Sequence, residues 1–160
     1  MNLNICPLQA AHRPALARLL GRIQEFDAED CALALELADQ VLGQPGQKDY
    51  RIRLAYTGQP PQLAGFICFG PTPLTEGTYD LYWIAVDPAF AGQGIGSRLM
   101  AAMEAELRAQ AGRLLLIETS SSPVYAGTRQ FYLKNGCSLV ETIPDFYHPG
   151  EDRVTYQKRL

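Results

Sequence analysis

Chemistry is most legible in residues 86–100, VDPAFAGQGIGSRLM. Ala91, Gly92, Gly94 and Gly96 put bare backbone at the mouth of a helix marked by Ile95, Leu99, Met103 and Leu107, an apolar repeat of helical period. The first N–H groups of a helix lack partners of their own, and its N-terminus carries about half a positive charge. Glycines remove the Cβ atoms that would hold a phosphate at a distance, so successive amides can wrap a diphosphate. A tight strand-to-helix turn accounts for one or two glycines; three at alternate positions exceed that need. The dinucleotide pattern G-x-G-x-x-G fails, because Ser97 stands at the third glycine counting from Gly92, and Leu99 counting from Gly94. The G-x-x-x-x-G-K-[ST] loop is absent too. The hydroxyls of ETSSSPVY come without a G-x-S-x-G elbow, which argues against a Ser–His–Asp hydrolase. His12 reads as a solvated or capping residue at a helix start, and His148 as a loop residue able to touch substrate.

The elements around this loop follow from periodicity. Residues 2–6 form a short strand ended by Pro7, and Leu16, Leu19, Leu20 and Ile23 mark a first helix with Pro14 near its start. A second helix runs from Glu29 to Leu42 on a Leu33, Leu37, Val41 stripe, stopped by Gly43 and Pro45. DYRIRLAYT and QLAGFICFG make a hairpin across GQPP. TYDLYWIAV is a central strand, with Leu81, Trp83 and Ala85 on one face and Tyr82, Ile84 and Val86 on the other. The glycine-led helix then runs to about Gln110, and RLLLIETS follows as an apolar strand carrying Glu118 near its end. A helix about GTRQFYLKN stops at Asn135-Gly136. CSLVETI and RVTYQKRL close the chain as strands, with PDFYHPGED as a loop between them. The fold class is therefore α/β in the broad sense, an α+β mixed sheet flanked by about four helices. Residues 79–86 and 113–119 should be parallel in a right-handed β-α-β unit.

The 160 residues suit a single domain over 1–160, with 47% hydrophobic and 19% charged residues as in a folded globular protein. The expected setting is cytoplasmic, since no apolar run approaches a membrane span and the first residues lack the pattern of a secretory leader. Cys6, Cys31, Cys68 and Cys137 are too scattered for metal-site spacing, so no metal is expected and the cysteines read as reduced, buried thiols. A net charge of −3 without a Lys/Arg stripe argues against nucleic-acid binding and suits a neutral or cationic partner. Either a monomer or a homodimer fits.

Val86, Pro88, Gly94 and Gly96 together resemble the fingerprint of the GNAT superfamily of acyl-CoA-dependent N-acyltransferases: Val-x-Pro, a short spacer, then Arg/Gln-x-x-Gly-x-Gly/Ala opening a helix. FYLKNGC is similar to that family's later Tyr-x-x-x-Gly-Phe segment, with Tyr132 and Gly136 in register. Two positions depart: Ala91 stands where the family has Arg or Gln, and Cys137 where it has Phe. The resemblance implies a GNAT-like sheet with a β-α-β acyl-CoA-binding core, and acetyl-CoA as cosubstrate. It places the pyrophosphate on the amides of Gly92, Gln93, Gly94, Ile95, Gly96 and Ser97, and the pantetheine arm beside Ile84, Ala85 and Val86. Losing the side chain at position 91 weakens coenzyme binding without abolishing it.

The implied reaction is direct attack of a primary amine, from a small molecule or a peptide, on the thioester carbon. A lysine-like amine with pKa about 10.4 is neutral to roughly one part in 2,500 at pH 7, a cost near 4.6 kcal/mol, whereas an α-amine near 7.8 costs about 1.1 kcal/mol. Glu118, at the carboxyl end of its strand, is the candidate base, with partial burial expected to raise its pKa. Tyr132 is the candidate acid toward the leaving thiolate, and its neighbour Phe131 the expected core residue. Asp145 and Tyr147 are candidate receivers of a cationic acceptor. A non-catalytic acyl-CoA-binding or sensing domain is the alternative that Ala91 suggests; another nucleotide-binding enzyme is disfavoured by the failed dinucleotide pattern.

Overall fold

The structure, a computed structural model, describes residues 1–160. Seven strands form one mixed sheet: β1 (Leu3–Pro7), β2 (Arg51–Thr57), β3 (Gln62–Pro71), β4 (Thr78–Val86), β5 (Leu114–Ser120), β6 (Ser138–His148) and β7 (Glu151–Arg159). Their spatial order is β1-β2-β3-β4-β5-β7-β6. All neighbours are antiparallel except β4 and β5, which are parallel as the crossover between them requires. Four helices, α1 (Arg13–Leu20), α2 (Ala28–Gly43), α3 (Ile95–Ala109) and α4 (Ala126–Lys134), pack on the two faces.

One core forms under α3, where Ile95, Leu99, Met103 and Leu107 are all essentially inaccessible, on the stripe their spacing predicts. The other lies under α1 and α2, with Leu16, Leu19 and Leu20 of α1 against Leu54 and Phe66. The stripe of α2 is displaced from the expected one. Ala34 and Ala38 face the core, Leu37 and Val41 lie at its edge, and Leu33 is 51% exposed. Small side chains let this helix approach closely, so its leucines flank the contact line. Asp27 caps α2 by accepting from the Asp30 N–H at 2.8 Å, while Asp30 accepts from the Asp27 N–H at 3.0 Å.

Strand β4 breaks the simple alternation that the sequence suggests. Cys68 pairs with Trp83 and Phe69 with Leu81, so Tyr82 is an extra residue on β4, a β-bulge. Tyr79 and Leu81 face the α3 core before the bulge; after it, Ile84 and Val86 take that face, and Trp83 and Ala85 turn to the α1/α2 core. Leu81 therefore does not share a face with Trp83 and Ala85. The β4–β5 ladder covers only Thr78–Leu81 against Leu114–Ile117. Beyond it the strands part, and the edge of β4 from Tyr82 to Val86 is left open on that side.

The segment from 144 to 152, expected as a loop, is mostly strand. The last two strands run on as a hairpin that turns at Pro149-Gly150, with an irregular register between Ile143 and His148. All four cysteines are free; Cys68 and Cys137 are buried, whereas Cys6 and Cys31 are only half-buried. No helix is long and apolar enough to cross a membrane.

Candidate active site

The loop between β4 and α3 is held from below by Asp87, which is 2% exposed. Its N–H donates to the Ala64 carbonyl at 2.8 Å, its Oδ1 accepts from the Ala89 N–H at 2.9 Å, and its Oδ2 pairs with the Arg22 guanidinium just past α1. Pro88–Phe90 make one 3-10 turn, after which Gly92 and Gly94 take φ of +76° and +75°. That left-handed geometry at the helix N-cap costs an L-residue about 1–2 kcal/mol. A Cβ at either position would project into open space. Gly96 serves a different need, since a Cβ there would stand 3.0 Å from Phe131 of α4.

The consequence is a row of free donors. Ala91 N–H donates to Pro88 O and Arg98 N–H to Gly94 O, but no amide from Gly92 to Ser97 donates to any protein group. Six consecutive unpartnered N–H groups at a helix N-terminus form an anion cradle ready for a diphosphate. Ala91 is exposed and adds no side-chain donor to it.

The cradle opens into a cavity of about 880 Å³ that runs along the open edge of β4 toward the ends of β5 and the β6–β7 hairpin. This one space collects Ile84, Ala85, Val86, Gly92, Gly94, Ile95, Gly96, Ser97, Glu118, Tyr132 and Tyr147. Gln93 and Asp145, also singled out in the sequence, are not part of its wall. Gln93 points its side chain to solvent and offers only its amide. Asp145 is occupied with the hairpin, its Oδ1 accepting from the Gly150 N–H at 2.6 Å.

Tyr132 is 5% exposed and lines the cavity, and its hydroxyl engages no protein partner. Burial, then the neighbouring Cys137 and Tyr125, pushes its pKa well above the ordinary phenol range. It therefore stays protonated at any working pH. Phe131, expected as the core residue of this pair, is the less buried of the two and packs against the first turn of α3.

Glu118 departs from expectation in another way. Its side chain is 55% exposed, and the Arg153 guanidinium lies 3.7 Å away. The partial burial expected of it is not found, because β5 ends at the cavity mouth where water reaches it. His12 accepts from the Gln9 N–H at 3.1 Å far from this site, while His148 stands at the cavity rim, largely exposed.

The sequence reading missed the opposite wall. Glu25, Phe26 and Asp27, from the α1–α2 connection, and Asp30, in the first turn of α2, face Trp83 and Tyr125. Phe26 stacks edge-on against Trp83, with centroids 5.2 Å apart, and the Tyr125 hydroxyl donates to the Glu25 carbonyl at 3.1 Å. Burial, then Asp30, Glu25 and Asp27, pushes the Tyr125 pKa up to about 12. The acid-rich run EFDAED, with its single Phe26, was the available signal, though by itself it reads only as a helix start.

The chain as a whole is similar to known proteins. The family model described as "Acetyltransferase (GNAT) domain" matches residues 48–136. A GNAT-family acetyltransferase structure from Desulfovibrio desulfuricans is 34% identical over 99% of both chains, with a TM-score of 0.93. The ribosomal-protein-S18-alanine N-acetyltransferase from Escherichia coli is 20% identical over 99% of this chain and 94% of its own, TM-score 0.75. The PaiA N-acetyltransferase from Thermoplasma acidophilum, in complex with coenzyme A, is 14% identical over the full length of both, TM-score 0.79. None of the curated proteins matches the chain.

Proposed function

Because this chain belongs to the GNAT acetyltransferase family, and so is an acyltransferase that uses acetyl-CoA, we propose that it acetylates a primary amine by direct attack on the thioester. Residues 1–160 act as one domain in this reading. The observation that carries it is the row of six free amides, Gly92 to Ser97, opening onto the unpaired edge of β4.

Those amides hold the pyrophosphate, with Gln93 contributing its backbone alone. Ile84, Ala85 and Val86 offer strand-like hydrogen bonds to the pantetheine amides, and an N–H near Ala85 or Val86 steadies the oxyanion. The amine nitrogen forms the new C–N bond as the C–S bond breaks. Glu118, open to water, takes the ammonium proton through a water molecule. Tyr132 donates to the departing sulfur. Its raised pKa makes complete transfer uphill in isolation, but the same dry pocket also raises the proton affinity of a thiolate, which narrows the gap. Tyr147 lines the acceptor end, and Asp145 supports it by fixing the hairpin turn.

The test is thiol release from acetyl-CoA over an amine panel, alongside calorimetry with coenzyme A. Binding with turnover is expected. Coenzyme uptake without thiol release from any amine would leave a binding or sensing domain instead.

A further inference from the structure

The charge along the cavity wall is one-sided. Glu25, Asp27, Asp30, Glu118 and Glu151 line it, and no Lys or Arg does. Two of the five have company: Glu118 faces Arg153 at 3.7 Å, and Glu151 accepts from Ser120 Oγ at 2.6 Å with His148 Nε2 at 3.8 Å. Glu25, Asp27 and Asp30 have no basic partner. Arg22, adjacent in sequence, is committed to Asp87, and Arg129 donates to the Ser120 and Ser122 carbonyls.

Asp27 and Asp30 each spend one oxygen on the α2 cap. The α2 N-terminus offsets about half a charge, which leaves most of three unmatched. Phe26, Trp83, Tyr125 and Tyr147 supply aromatic surface beside them. Into the same cavity points the unpartnered hydroxyl of Tyr132, itself 5% exposed, which marks the space as one built for a ligand.

The reacting nitrogen cannot neutralise these acids, because it must lose its proton before it attacks. The matching charge has to come from a second cationic group on the same molecule. Resting on the acetyltransferase reading above, we propose that the acceptor is a small polycation, an organic amine with at least two ammonium groups. One ammonium is held by the Glu25, Asp27 and Asp30 carboxylates while another amine reaches the thioester. A peptide with a single α-amine would leave the three acids unmatched.

The experiment compares kcat/KM for 1-aminobutane, 1,4-diaminobutane, spermidine and an alanine-led neutral peptide amide, read by thiol release from acetyl-CoA. Charge-assisted contacts of this kind imply a preference of about 10- to 100-fold for the di- and triamine. Glu25→Gln, and Asp27→Asn, which keeps a capping oxygen for α2, should remove that preference. Both variants should leave coenzyme affinity as it was, and Asp27→Asn, which gives up a charge at the α2 N-terminus, should cost no more than about 1 kcal/mol of stability. Added salt should narrow the preference in the parent protein. Peptide or monoamine turnover equal to that of the diamine overturns the polycation proposal and leaves the transferase reading intact, as does a preference that survives both substitutions. Absence of thiol release with every amine overturns both.

Discussion

Gly94→Ala isolates the anion cradle from the rest of the fold. The native φ of +75° at the N-cap of α3 costs alanine about 1–2 kcal/mol, whether it stays left-handed or relaxes. At about 2.1 cal/mol/K per residue of unfolding entropy, that loss lowers the melting temperature of a 160-residue domain by roughly 3–6 °C. Gly136, just past α4, is the matching control: its φ is +82°, and a Cβ there meets only the Lys158 side chain at 3.5 Å. Gly136→Ala should therefore cost a similar amount of stability. The two variants should part company on coenzyme A. A Cβ at position 94 meets no protein atom that would hold it in place, so the strain is relieved by a change of φ that turns the neighbouring N–H away. Losing one charge-assisted hydrogen bond is worth about 1.5–3 kcal/mol, or roughly 10- to 150-fold in Kd. Calorimetric titration with coenzyme A, beside thermal melts of both variants, provides the assay. Equal coenzyme affinity in Gly94→Ala and Gly136→Ala would refute the cradle, because strain alone would then explain the glycine.

Tyr132→Phe should lower kcat about 100-fold in the amine reaction while leaving coenzyme Kd unchanged, and an unaltered kcat removes the phenol from the mechanism. Arg22→Ala strips the buried Asp87 carboxylate of its ion partner; with Arg22 itself half-exposed, the loss should be about 1–3 kcal/mol in urea denaturation. Arg22→Ala combined with Asp87→Asn should recover part of that loss, and no recovery would show that the pair matters little. Burial pushes the Cys68 thiol from 9.0 up to about 12, and the phenols of Tyr82 and Tyr125 from 10.0 up to about 12. The unfolded chain therefore sheds these protons first, so stability is full below pH 9 and declines as pH rises from there toward 12. A denaturation midpoint that stays flat between pH 8 and pH 11 would contradict this.

The donor half of the site was legible in the sequence because it is made of backbone. Residues 86–97 carry their own geometry: Gly92 and Gly94 permit the left-handed turns, Asp87 fixes the loop from within three residues, and the Ile95-Leu99-Met103-Leu107 stripe aims the helix. The face assignment of β4 was not legible. Its pattern alternates well, and only the pairing partner reveals that Tyr82 is an extra residue, because a bulge is a property of two strands. The α2 stripe failed for a related reason, since Ala34 and Ala38 became the contact line once the helix approached closely. The strand character of 144–152 was hidden by Pro144, Pro149 and Gly150, which read as turn residues although only the last two make one.

The acceptor half was hidden for a deeper reason. Its wall is assembled from residues 23–30, 82–86, 118–132 and 147–151, joined in space by the β4 bulge, the early end of the β4–β5 ladder and the long β6–β7 hairpin. The two halves consequently answer to mutation in different ways. At the cradle, the proposed coenzyme contacts rest on N–H groups that every residue but proline possesses, so Ala91 can stand in place of a basic or amide side chain and the six donors remain. At the acceptor wall, charge and shape rest on side chains such as Glu25, Asp27, Trp83 and Tyr147, and the backbone supplies only their positions. On the proposed reading, substitutions there should therefore change which amine is received while coenzyme affinity stays as it was.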